Sequence, residues 1–131
     1  MRRLAMTLFT AVALMSSLAQ AAGLDGKWRL TSLPDVSNFD ASKTELAFLP
    51  DGRVAMTVGC NRMSATAATG EGTIKFGPIM ATKMACLPNL MSLEAMFQNA
   101  IGRATTFKRD RDTLTLIDVS SNAVATFSKK D

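Results

Sequence analysis

Two cysteines constrain this chain more than any other feature: Cys60 within Gly59-Cys60-Asn61, and Cys86 within Met84-Ala85-Cys86. The segment ahead of them reads as an export leader. Arg2 and Arg3 supply positive charge, Leu4 to Leu18 is mostly apolar, and Ala19-Gln20-Ala21 offers the small residues of a cleavage site. Cleavage after Ala21 is expected, with residues 1–21 as signal peptide and 22–131 as one domain. Polar Thr7, Thr10, Ser16 and Ser17 and the shortness of the run argue against a retained membrane anchor. In a chain exported to the periplasm or medium, two cysteines most simply form one disulfide. Closing a loop of that length contributes about 3 to 4 kcal/mol by chain entropy. Two other readings remain open. The thiols could stay unpaired as structural residues, or they could join the sulfurs of Met80, Met84 and Met91 in a copper(I) site.

The pattern after the leader alternates. Trp28 and Leu30 share one strand face, with Lys27 and Arg29 opposite; a polar loop from Pro34 to Ser42 follows, then a strand over 43–49. Pro50-Asp51-Gly52 is a hairpin turn: proline presets its angle, aspartate bonds its own backbone and glycine accepts positive φ. Strands are predicted over 53–58, 62–69 and 73–76, ending at Gly77-Pro78. Asn89 is expected to cap a helix whose stripe is Leu90, Leu93, Phe97, Ala100 and Ile101, closed by Gly102 in left-handed geometry. Period two then returns over 104–108, 113–118 and 123–128, with turns at 109–112 and 119–122. Strands, one helix, then strands predict an antiparallel α+β domain.

The ordered set of Trp28 and Leu30, Gly52-Arg53-Val54, Gly59-Cys60-Asn61-Arg62, Ile74, Phe76-Gly77-Pro78, Thr82, Met84-Ala85-Cys86, Glu94, Phe97, Leu114, Leu116 and Phe127 resembles the META domain, or HslJ-like, family. The resemblance covers nearly all of the chain after the leader. It implies a partly open, antiparallel β-barrel-like sheet crossed by one α-helix, similar to the secretin pilot MxiM. It also implies a place in the bacterial envelope, heat-shock induction and novobiocin-type antibiotic tolerance, without established catalytic residues.

The chemistry points the same way. With no histidine and no tyrosine, the chain lacks the usual general base and the usual imidazole ligand. No phosphate loop or CxxC is present. The chain has 15 basic and 11 acidic residues; Arg2 and Arg3 belong to the leader, which leaves a net +2 and no basic stripe, so no nucleic-acid partner is expected. Neither enzyme activity, cofactor nor resident metal is expected. The candidate binding residues are Asn61, Arg53, Arg62, Trp28 and Phe97; the bland alternatives are loop satisfaction for Asn61, solvated turn charges for the arginines, and core for Trp28. The leading expectation is a monomeric, non-enzymatic envelope-stress factor that binds another envelope protein. A second is a lipid or small-hydrophobe binder with a pocket between helix and sheet lined by Phe97, Ile101, Leu114 and Phe127. A third is a secreted hydrolase inhibitor presenting the loop from Pro34 to Ser42.

Overall fold

Alternating apolar positions from both halves of the chain meet inside one curled antiparallel sheet in the computed structural model, which describes residues 23–130. The expected leader lies outside the described residues. The strands are β1 (Gly26–Ser32), β2 (Glu45–Phe48), β3 (Arg53–Thr57), β4 (Arg62–Thr69), β5 (Ile74–Phe76), β6 (Met80–Ala81), β7 (Thr106–Asp110), β8 (Thr113–Ile117) and β9 (Ala123–Lys129), with the helix α1 (Pro88–Arg103) between β6 and β7. Their spatial order is β5-β4-β3-β2-β1-β9-β8-β7. The first and last strands are thus central neighbours, with Trp28 opposite Lys129 and Leu30 opposite Phe127. The two outer strands approach each other: Thr73 bridges Thr106, Ile74 N–H donates to the Thr105 carbonyl at 3.1 Å, and Phe107 N–H donates to the Gly72 carbonyl at 3.0 Å. The barrel is nearly closed.

Strands β5 and β6 lie along the same side of β4, joined through Gly77-Pro78-Ile79. Gly77 N–H donates to the Thr66 carbonyl at 2.8 Å, while proline has no donor for the ladder. A Cβ on Gly77 would stand 2.7 Å from Thr66 Oγ1, so this crossing needs glycine for room. The Pro50-Asp51-Gly52 turn forms as expected, with Gly52 at φ 85° and its N–H on the Leu49 carbonyl at 3.1 Å.

The core is filled by Trp28, Leu30, Leu46, Val54, Met56, Ile74, Leu114, Leu116 and Phe127 from the strands, and by Leu93, Phe97, Ala100 and Ile101 from α1. Phe97 meets Phe127 edge to face, with ring centroids 6.4 Å apart. At the opposite end of β1 the stretch Gly23 to Asp25 is tied over Trp28. The indole donates to the Leu24 carbonyl at 3.0 Å, Lys129 Nζ to the Asp25 carbonyl at 3.0 Å, and the Arg109 guanidinium to the Gly23 carbonyl. The two cations lie 5.0 and 5.1 Å from the indole centroid, a geometry in which the ring quadrupole attracts them.

Two helix boundaries differ from expectation. Pro88, not Asn89, opens the first turn, after Leu87 in extended geometry and with no side-chain cap. Proline's fixed φ already matches the helix, and its missing N–H would have been unbonded there. Gly102 stays helical and the chain leaves through extended Ala104, whose N–H bonds the Ile101 carbonyl at 3.2 Å. Ala41–Lys43 adds a 3-10 turn capped by Asp40.

Candidate functional site

The site grows from the loop between β3 and β4, where Val58, Gly59, Cys60 and Asn61 leave the sheet toward the start of α1. Gly59 has φ 142°, and a Cβ there would come within 3.0 Å of Leu90, so glycine admits both the backbone and the helix. Cys60 and Cys86 are joined by a disulfide with Cα atoms 6.2 Å apart, which ties this loop to the segment entering α1.

Beside the disulfide, Asn61 is buried and its amide uses its full hydrogen-bonding capacity. Its Nδ2 donates to Glu94 Oε2 at 2.8 Å and to Cys86 Sγ at 3.6 Å; its Oδ1 accepts from Met84 N–H at 2.8 Å and Thr82 Oγ1 at 3.0 Å. The Asn61 backbone N–H donates to Glu94 Oε1 at 2.5 Å, so one residue grips both oxygens of the carboxylate. Thr82 Oγ1 in turn accepts from Arg62 N–H at 3.0 Å. Glu94 is only 6% exposed although it lies on the apolar stripe of α1. Burying a carboxylate this deeply is tolerable because charge-assisted bonds replace its water.

Next to this network a cleft of about 550 Å³ opens between the start of α1 and the 38–43 segment, lined by Phe39, Val58, Leu87, Leu90 and Leu93 with Asp40 and Lys43 among its polar residues. The Ser42 hydroxyl and N–H bond Asp40 at 2.5 and 3.0 Å and hold its carboxyl below the usual range. Along the segment that carries Cys86 from β6 into α1, Met80, Met84, Leu87 and Met91 are 73, 50, 67 and 55% exposed.

Of the residues singled out from sequence, Cys60, Cys86 and Asn61 converge, Arg62 joins them only through its backbone N–H, and the others stand elsewhere. Trp28 and Phe97 are buried in the core and present no binding surface. Arg53 pairs with Asp51 at 2.6 Å in the β2–β3 turn, and Arg62 is exposed at the start of β4. The expected pocket residues Phe97, Ile101, Leu114 and Phe127 are all packed at 1% exposure or less. They fill the space a ligand would have needed. The loop from Pro34 to Ser42 is tied down rather than projecting: Val36 N–H bonds the Leu33 carbonyl at 3.1 Å, and Val36 and Phe39 pack on the core. Glu94 stands out in the sequence only among the residues that carry the family resemblance; its place four residues after Leu90 and three before Phe97, inside an apolar stripe, is the signal that it is buried. Among the described residues no helix is long and apolar enough to cross a membrane.

The family model for the META domain matches residues 19–131. Among solved structures, a protein from Burkholderia xenovorans determined by NMR aligns at 21% identity over 93% of this chain and 94% of its own, with a TM-score of 0.64. A duf4847 family protein from Bacteroides vulgatus, known from a crystal structure, aligns at 14% identity over 86% of this chain and 99% of its own, with a TM-score of 0.62. Both are similar in fold. No curated protein matches the chain.

Proposed function

The chain belongs to the META domain family, and from that premise we propose that it is a non-enzymatic, exported binding protein that docks onto another component of the bacterial envelope and supports tolerance of heat or novobiocin-type stress. One observation carries the reading: four large apolar side chains, Met80, Met84, Leu87 and Met91, are exposed along the short segment that carries Cys86 from β6 into α1, and Leu87 also lines the cleft. A cluster of this kind is a mark of an interaction surface, and methionine's unbranched, polarisable side chain adapts to varied apolar partners. The disulfide and the Asn61–Glu94 bonds stiffen the backbone beneath it, which lowers the ordering cost of association. Absence of histidine and tyrosine supports a role without catalysis.

The cleft itself favours a second reading. Its volume of about 550 Å³ and its Phe39, Leu90 and Leu93 lining suit a small apolar ligand, at a place different from the packed core. Photo-crosslinking groups at Leu87 and Met91, with Val119 as an isolated apolar control at 87% exposure, test the leading reading in cells. A discrete crosslinked protein is expected from the first two positions and not from Val119. The same partner should be lost on Met84→Asp, and that variant should fail to restore stress tolerance to a strain lacking the chain. Equal labelling from Val119 would sink the reading, and a retained lipid or other apolar molecule in native mass spectra would move the second reading ahead.

A further inference from the structure

The two sulfurs of Cys60 and Cys86 and a carboxylate oxygen of Glu94 lie within 4.8 Å of one another. In the oxidised chain the sulfurs are bonded together and offer no thiolate. We propose that reduction of this disulfide turns the staple into a binding site for a thiophilic divalent ion, zinc in particular, held by the Cys60 and Cys86 thiolates and the Glu94 carboxylate, with a water completing the tetrahedron.

The donor set is one zinc accepts: thiolate sulfur at about 2.3 Å and carboxylate oxygen at about 2.0 to 2.2 Å. A tetrahedral centre with such bonds places its two sulfurs about 3.8 Å apart, reached by side-chain rotation once the bridge opens. Glu94 is already in place. Asn61 holds both carboxylate oxygens at 2.5 and 2.8 Å, leaving each a free lone pair, and outer hydrogen bonds of this kind orient carboxylate ligands toward a metal. The chemistry also explains what the ion would gain and supply. Opening the bridge places two thiols beside a buried carboxylate, where ionising them would crowd negative charge; a dication neutralises that cluster. Since the chain has no histidine and no third cysteine, the only other soft donors it offers are methionine thioethers, which suit copper(I) rather than zinc.

The step balances without hidden reactants. A dithiol reductant gives two electrons and two protons to the Cys60–Cys86 bond and leaves as its own disulfide. The metal ion then displaces the two thiol protons to solvent as both metal–sulfur bonds form.

The test uses the full exported chain, reduced with a dithiol and desalted under anaerobic conditions. Zinc titration calorimetry should show one site in the reduced chain and none in the oxidised chain, with about two protons released per ion. Cadmium should give a thiolate charge-transfer band that saturates at one equivalent. Glu94→Gln is expected to keep that band and weaken zinc affinity at least tenfold, and Cys60→Ser, which leaves the Asn61–Glu94 bonds intact, should remove most of the band. If the reduced chain unfolds, zinc should restore the far-ultraviolet circular dichroism of the oxidised chain, and restore it less or not at all in the two variants. No one-to-one site, no restoration of fold, or affinity unchanged by Glu94→Gln would each overturn the proposal.

Discussion

Replacing Asn61 by aspartate changes one NH₂ into an oxygen of nearly the same size, and the consequence can be worked from the geometry. The acceptor side is preserved, since Met84 N–H and Thr82 Oγ1 still have an oxygen to meet. The donor side inverts: where Nδ2 gives a hydrogen to Glu94 Oε2 at 2.8 Å, two carboxylate oxygens now face each other. Two full charges at about 3 Å repel by about 5 kcal/mol at an effective dielectric near 20. The pair has a cheaper alternative, which is to hold one proton between them as coupled carboxylates do. Keeping a carboxyl of ordinary value near 4 protonated at pH 7 costs about 1.4 kcal/mol per unit, or about 4 kcal/mol, and this caps the penalty. The sign follows from linkage: the folded-state value is raised above the unfolded one, so the folded variant binds an extra proton. Its stability relative to the parent is therefore intact below about pH 4 and falls by about 1.4 kcal/mol per unit as pH rises toward the raised value. Urea denaturation followed by emission of Trp28, the sole tryptophan and fully buried, reads this directly between pH 4 and 7. Asn61→Ala is the control, with a penalty of about 2 to 4 kcal/mol and a weaker pH dependence, since Glu94 loses one donor but meets no facing charge. A gap for Asn61→Asp below about 1 kcal/mol at pH 7, or one independent of pH, would show that Asn61 and Glu94 are not coupled as described.

Two further outcomes follow from single contacts. Gly77→Ala should lower stability by about 1 to 3 kcal/mol through overpacking, because the new methyl meets Thr66 Oγ1 at 2.7 Å; the double variant with Thr66→Ala should recover most of the loss in thermal denaturation. Glu45 bonds Lys130 Nζ at 2.8 Å, which holds its carboxyl below 4.5. Because that value is depressed, the pair stabilises the fold above the unfolded value and the contribution is lost as pH falls through the folded one. Lys130→Ala should thus cost less than about 1 kcal/mol at neutral pH, and the difference from the parent should vanish in acid denaturation profiles.

How much of this was readable beforehand depends on the range of the interaction. Strand alternation is local, so Trp28 with Leu30, Leu46 with Phe48 and Leu114 with Leu116 announce their shared faces, and Pro50-Asp51-Gly52 carries its own turn chemistry. The helix stripe is equally local. Strand β6 is invisible to periodicity because two residues cannot display a period, and the helix begins one residue before Asn89 because Pro88 suits a first helical position. The Asn61–Glu94 pair spans 33 residues, and nothing in either neighbourhood says that the two will meet. The expectation that Asn61 satisfies nearby loop groups holds for Met84 and Thr82 in space, but those partners come from the far side of the disulfide. The pocket residues illustrate the converse limit: a line of apolar side chains is the same in sequence whether it walls a cavity or fills one.

Pairing β1 with β9 sets an order of events for a chain made from one end. Strands β1 to β4 form a meander that can assemble from neighbours as they appear, yet β1 keeps one edge unpaired until the final strand arrives. That edge carries Trp28 and Leu30, and its partner follows every other described strand in the sequence. Such long-range pairing makes closure slow relative to local structure. A chain truncated before β9 is therefore left with the backbone groups along one edge of β1 unpaired and open to any other strand.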